Sequence, residues 1–170
     1  HLSQSLSSTV EVARVAARQT GVAHVTVLDS GQLSMGLGFQ AIRAAEAAAA
    51  GQSMAEILEL LEDHAARTHT AAALETLEFL RRSGRMSGVV ARVGNLLQIK
   101  PILKMYQGHA TAERVRTRRG AFDRLVAMLE SFAPLERLAF LHANVPDRAD
   151  DFRVTSQQAI LDVAGQITGI

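Results

Sequence analysis

Short apolar runs alternate with longer amphipathic runs carrying helix-capping signals, and this alternation most restricts the fold. Residues 9–19 set Val10, Ala13, Val15, Ala16 and Ala17 on one face, and Ser8 with Glu11 has capping-box spacing, so a helix is expected from about Ser8. Residues 22–28 read as a short buried strand. After the turn Asp29-Ser30-Gly31, an Ala- and Leu-rich run from Ser34 to Ala50 predicts a helix closed by Gly51. Ser53 and Glu56 form a second capping box ahead of the stripe Ile57, Leu58, Leu60 and Leu61, which predicts a helix to about Arg67.

The character changes near Thr68. Residues 70–74 read as a strand, 76–82 as a short helix stopped by Ser83-Gly84, and 87–97 as an apolar helix. Residues 98–106 and 109–117 read as two strands joined at Gln107-Gly108, and Thr117 can cap a helix over 118–132 that Pro134 ends. A strand over 135–141, a helix from Pro146 to about Arg153 and a strand over 160–170 complete the pattern. The expectation is an α/β chain in two parts: residues 1–67 as a partial three-layer α/β domain, and residues 68–170 as a second α/β domain with a mixed sheet.

Composition narrows the function classes. The 170 residues carry 18 Lys and Arg against 17 Asp and Glu, and no Cys, so disulfides, thiolate metal sites and cysteine nucleophiles are excluded. No apolar run approaches the roughly 18 residues of a membrane helix, and no charged-then-apolar leader precedes the first helix, so a cytoplasmic protein without stable membrane insertion is expected. Aromatic residues are only 4% and Trp is absent, which gives no stacking platform for nucleic acid. His24, His64, His69, His109 and His142 form no HxxxH or HExxH spacing, so no metal is expected.

Three stretches can bear chemistry. The hydroxyl-rich segment Leu2-Ser3-Gln4-Ser5-Leu6-Ser7-Ser8-Thr9 leads into a helix, where free N–H groups and rotatable hydroxyls suit a carboxylate or phosphate; a simply well-capped helix is the competing reading. Asp29-Ser30 followed by Ser34-Met35-Gly36-Leu37-Gly38 lets a ligand or another backbone come close, but its spacing is not that of a phosphate loop. Arg81-Arg82-Ser83-Gly84-Arg85 ends a helix with cations that favour that end anyway. Together with Arg114, Arg116, Arg118 and Arg119, it gives two basic groups able to meet phosphate or an acidic partner.

Taken in order, these stretches resemble the DegV family of bacterial fatty acid-binding proteins. Ser3-Gln4-Ser5-Leu6-Ser7-Ser8-Thr9 is similar to the family's Ser-Ser-x-Leu-Ser-Gly-Thr turn, and Asp29-Ser30 with Ser34-Met35-Gly36-Leu37-Gly38 to its Asp-Ser and Ser-x-Gly-x-Gly segment. Thr76-Leu77-Glu78-Phe79-Leu80 with Gly84-Arg85-Met86, Leu96 through Leu103, and Val115-Arg116-Thr117-Arg118 resemble three further signatures. Departures are Gln4 for Ser, Ser8 for Gly, Ser83 for Gly and Met86 for Ile.

The resemblance implies a two-domain carrier that does no chemistry itself. It implies one long-chain fatty acid with its carboxylate at the domain junction and its tail in the second domain, presented to a dihydroxyacetone-kinase-like fatty acid kinase that makes acyl phosphate for phospholipid synthesis. It assigns the carboxylate to Ser7, with Ser8 and Thr9 in the same turn, places Ser34, Met35 and Gly36 beside the ligand, and turns Arg82 and Arg85 toward the kinase or the phosphate. The family's other two carboxylate contacts, a Thr after its first strand and a His in a His-Thr-Gly-Pro-Gly motif, are expected to lie outside this sequence. Alternatives are a module for another amphipathic carboxylate or isoprenoid, and a phosphotransferase-type enzyme.

Overall fold

The structure, a computed structural model, describes residues 1–22, 24–84 and 99–160. Helices α1 (Thr9–Gln19), α2 (Ser34–Ala49) and α3 (Met54–Arg67) come first, then strand β1 (His69–Ala73) and the short helix α4 (Glu78–Arg82). Strands β2 (Ile102–Tyr106) and β3 (His109–Glu113) and helices α5 (Arg118–Phe132) and α6 (Pro146–Ile160) follow. The expected helix over 87–97 and the residues 161–170 of the expected last strand lie outside the described residues.

Local chemistry sets most of the helix boundaries. At α3 both halves of the capping box form: the Glu56 N–H donates to Ser53 Oγ at 3.4 Å, and the Ser53 N–H donates to Glu56 Oε2 at 2.7 Å. Thr117 Oγ1 accepts the Gly120 N–H at 3.0 Å and starts α5. The box expected at Ser8 and Glu11 does not form. Ser8 has φ −74° and ψ 3° rather than an extended backbone and makes no side-chain cap, while Glu11 pairs with Arg14. Ser8 still holds the N-cap position, and the preceding Ser7 Oγ accepts the first helical N–H, that of Thr9, at 3.2 Å. Helix α6 runs past the expected end at Arg153 to Ile160, since no Gly or Pro interrupts that stretch.

The sheet has the order β1-β2-β3 and is antiparallel throughout among the described residues, with Ala73 opposite Ile102 and Tyr106 opposite His109. Gln107 and Gly108 both have positive φ, 46° and 76°, the backbone that a tight two-residue hairpin demands. Ile102, fully buried, packs on Ala121 and Met128 of α5, with Val115, Leu125 and Phe132 around them.

Two expected strands are not strands. Residues 22–28 form no ladder among the described residues, and Val22 and Val25 are exposed. The stretch from Leu28 to Gln32 instead runs beside residues 1–3: the His1 nitrogen donates to Leu28 O, the Ser30 N–H to His1 O and the Ser3 N–H to Gln32 O. In residues 135–141 only Leu138 makes a bridge. That loop is held by side chains: Arg67 pairs with Glu136, and Arg137 with Glu46.

The loop at Gly31 meets the hairpin turn main chain to main chain. The Gly108 N–H donates to Gly31 O at 3.0 Å, and a Cβ on Gly31, whose φ is +60°, would lie 3.0 Å from Gly108 N. Gly31→Ala combines a left-handed backbone penalty with displacement of that contact. It should lower the unfolding free energy by about 2 kcal/mol in urea titration.

Candidate functional site

A wide cavity of about 1670 Å³ opens along β1, on the edge that has no strand partner among the described residues. Helix α5 supplies Leu125, Met128, Leu129 and Phe132 to its wall, α6 supplies Phe152, and the start of α2 supplies Ser34, Met35, Gly36 and Phe39. Apolar side chains dominate the middle and charged ones the two ends. Toward α3 lie His64 and the Arg67–Glu136 pair, and toward α6 lies Glu75 with Lys100, Arg118 and Arg148. Burial lowers the His64 pKa, so the imidazole is neutral at neutral pH. His69 on β1 is stacked between Tyr106 and Phe132, with ring centroids 4.4 and 4.2 Å away.

The Ser34-Met35-Gly36 segment is placed against this cavity by a buried amide. Gln32, fully buried, donates through Nε2 to Thr68 O at 2.8 Å and to Met105 O at 3.4 Å, and accepts the Thr70 hydroxyl at 2.9 Å. One side chain thus ties the loop before α2 to both β1 and β2. Gly36 sits over this knot: a Cβ there would lie 2.7 Å from Thr70 Oγ1 and 2.8 Å from Gln32 Oε1. Helix α2 can come this close to β1 only with a glycine at that position. Ser34 opens the helix at φ +53°, an unusual backbone for serine.

The hydroxyl-rich turn is fixed to the same loop. Ser3 is buried, its N–H bonds to Gln32 O, and its own carbonyl accepts the Leu6 and Ser7 N–H groups at 2.9 and 3.2 Å. Asp29 clamps the turn from the other side, accepting the Gln4 N–H at 3.2 Å and the Gly31 N–H at 3.0 Å. Ser7 Oγ is 2.6 Å from Thr9 Oγ1; Ser7 is half-buried, and Ser8 and Thr9 are exposed. Ser7, Ser8 and Thr9 do not line the cavity, whereas Ser34, Met35 and Gly36 do.

Arg82, at the exposed end of α4, donates to Glu78 Oε1 at 2.8 Å. Arg81 and Arg82 together hold the Glu78 carboxyl down to about 2. Arg82 is not on the cavity wall, and Arg85 lies outside the described residues. Sequence reasoning missed Gln32, Glu75 and Arg148, whose partners lie 36 or more residues away, apart from the 25-residue span between Glu75 and Lys100. Among the described residues no three His, Asp or Glu side chains gather as a metal site, and no helix is long and apolar enough to cross a membrane.

Comparisons with known proteins agree with one another. The family model described as "Uncharacterised protein, DegV family" matches residues 1–169. A DegV domain-containing protein of Streptomyces coelicolor is 40% identical over 153 residues, covering 88% of this chain and 54% of that protein. One from Deinococcus radiodurans is 38% identical over 161 residues, covering 92% and 57%. The chain therefore spans about half the length of the curated relatives it matches.

Among solved structures, a DegV family protein from Thermus thermophilus, described by its fatty acid binding, superposes with a TM-score of 0.85 at 32% identity, covering 99% of this chain and 62% of its own. DegV from Bacillus subtilis, named a fatty acid binding protein, gives 0.81 at 31% identity and covers 99% and 62%.

Proposed function

This chain belongs to the DegV family, and from that premise we propose that it forms part of a cytoplasmic fatty acid carrier that presents its ligand to a separate kinase and performs no chemistry itself. The observation that carries this reading is the cavity: its volume exceeds the roughly 300–1,000 Å³ of ordinary small-molecule sites, and its middle is apolar. Two similar proteins, from Thermus thermophilus and Bacillus subtilis, are described as binding fatty acids.

The physical division of labour follows. Burying about 15 methylenes at ~0.8 kcal/mol each is worth on the order of 12 kcal/mol gross, so the tail supplies affinity. An ionised head costs too much to bury unpaired and needs donors at a fixed place. We place it at the Ser7 turn, where Ser3 and Asp29 hold the backbone and the Ser7 and Thr9 hydroxyls stand at the positive end of α1. On this reading the division between a head-holding part and a tail-holding part lies near Thr68, and exposed Arg82, with Arg85, faces the kinase. Native mass spectrometry of the full-length protein purified from cells should show the added mass of one long-chain acid; an isoprenoid mass, or none, would argue against this ligand.

Ser7→Ala removes one hydroxyl from a charged head group. In the full-length protein it should lower acid retention, or kinase-dependent acyl phosphate formation, by about tenfold or more. Unchanged values for both would remove Ser7 from the site.

A further inference from the structure

We propose that Lys100, Arg118 and Arg148 form a second anion site at the cavity rim, which takes a phosphate group and in which the Glu75 carboxylate holds the place of the ligand. Three cations from separate segments converge on this one carboxylate. Lys100 Nζ lies 2.8 Å from Glu75 Oε2, Arg148 Nη1 lies 2.7 Å from Oε1, and Arg118 Nε lies 2.9 Å from Oε1 with Nη2 at 3.0 Å from Oε2. Lys100 also donates to the Glu75 backbone oxygen at 3.2 Å. Their combined pull, Lys100 foremost, lowers the Glu75 carboxyl to about 2.

The charge does not balance. Among the described residues Glu75 is the only carboxylate within ion-pairing distance of these three, so two positive charges are left over. Arg119 beside them is neutralised by Asp123 at 2.9 Å, and Asp151 on the cavity wall, one turn beyond Arg148, reduces the surplus to one. Other clusters differ. Among the described residues Glu113 pairs with Lys104 and Arg124 and is not on the cavity, and at the opposite end Arg67 is shared by two carboxylates, Asp63 and Glu136.

The donor count points the same way. Two guanidinium groups and an ammonium carry thirteen N–H donors in principle, far more than the four or so lone-pair sites of a carboxylate. Arg148 uses one nitrogen on Glu75 and Arg118 two. In the place of Glu75, a doubly charged tetrahedral oxyanion satisfies more of these donors and, with Asp151, balances the three cations, whereas Glu75 with Asp151 leaves one positive charge over. The phosphate source is either inorganic phosphate or the phosphorylated end of an amphiphile whose chain occupies the cavity; the second case rests on the carrier reading.

The test is calorimetric titration of the full-length protein at low salt with inorganic phosphate and, separately, with dodecyl phosphate. Glu75→Gln removes the competing carboxylate and should tighten inorganic phosphate by about five- to tenfold, while Arg118→Gln with Arg148→Gln should weaken it at least tenfold. A merely structural ion cluster would lose stability in both variants and tighten in neither. If the double variant does not fold, Arg148→Gln alone, on an exposed helix turn, serves instead. Dodecyl phosphate binding much more tightly than inorganic phosphate assigns the site to an amphiphile's end; equal affinities assign it to free phosphate. Absence of tightening in Glu75→Gln, or wild-type affinity after loss of the arginines, overturns the site. Native mass spectrometry for retained acid in the same samples tests the carrier reading independently.

Discussion

Gln32→Leu should lower the unfolding free energy by about 2–4 kcal/mol, read as a shift of the urea midpoint without a change in slope. Leucine fills nearly the same space but strips Thr68 O and Met105 O of their donor and the Thr70 hydroxyl of its acceptor, all in a buried region. Each orphaned group costs about 1–3 kcal/mol, and small movements that admit water recover part of the sum. Thr70→Val, which removes only one of these bonds, should cost about 1 kcal/mol. A Gln32→Leu protein as stable as the wild type would show that the knot beneath Gly36 is not what holds α2 against β1.

The second large effect concerns the ligand rather than the fold. Leu129 lines the cavity from α5 but is only half-buried and lies outside the packed group around Ile102. On the carrier reading, Leu129→Asp places a charge against the hydrocarbon tail. Desolvating that carboxylate costs several kcal/mol, so retention of a long-chain acid should fall on the order of a hundredfold while the urea midpoint moves little. Full retention would place the tail elsewhere. Leu129→Met, which conserves volume and polarity, should behave as the wild type.

Features encoded by neighbouring residues were legible in the sequence. The Ser53–Glu56 box, the Thr117 cap and the positive-φ pair Gln107-Gly108 each depend on two or three adjacent side chains, and each stands where the spacing placed it. Before α1 the N-cap position falls at Ser8, where the spacing placed it, but the capping bond does not form, because Ser8 lacks the extended backbone from which a capping hydroxyl reaches the helical N–H groups. Residues 22–28 and 135–141 have strand-like composition, but a strand exists only with a partner, and the described residues give neither a ladder.

Part of the cavity wall was legible. Ser34, Met35 and Gly36 do face the cavity, for a reason the glycine pattern suggested: close approach of another element. Gln32 was invisible, since a lone glutamine between Gly31 and Leu33 gives no hint that its amide will span two strands. The Glu75 cluster was equally hidden, being assembled from residues spread over some seventy positions.

The junction of Gly31 with Gly108 is made of peptide groups, not side chains. Mutations that reshape the cavity wall therefore leave the separation between the serine turn and the hairpin untouched. If the ligand's head is held at the serine turn, as proposed, it is a fixed origin, and selection for longer or shorter acids acts at the distant end, like moving the stop on a ruler whose zero is pinned.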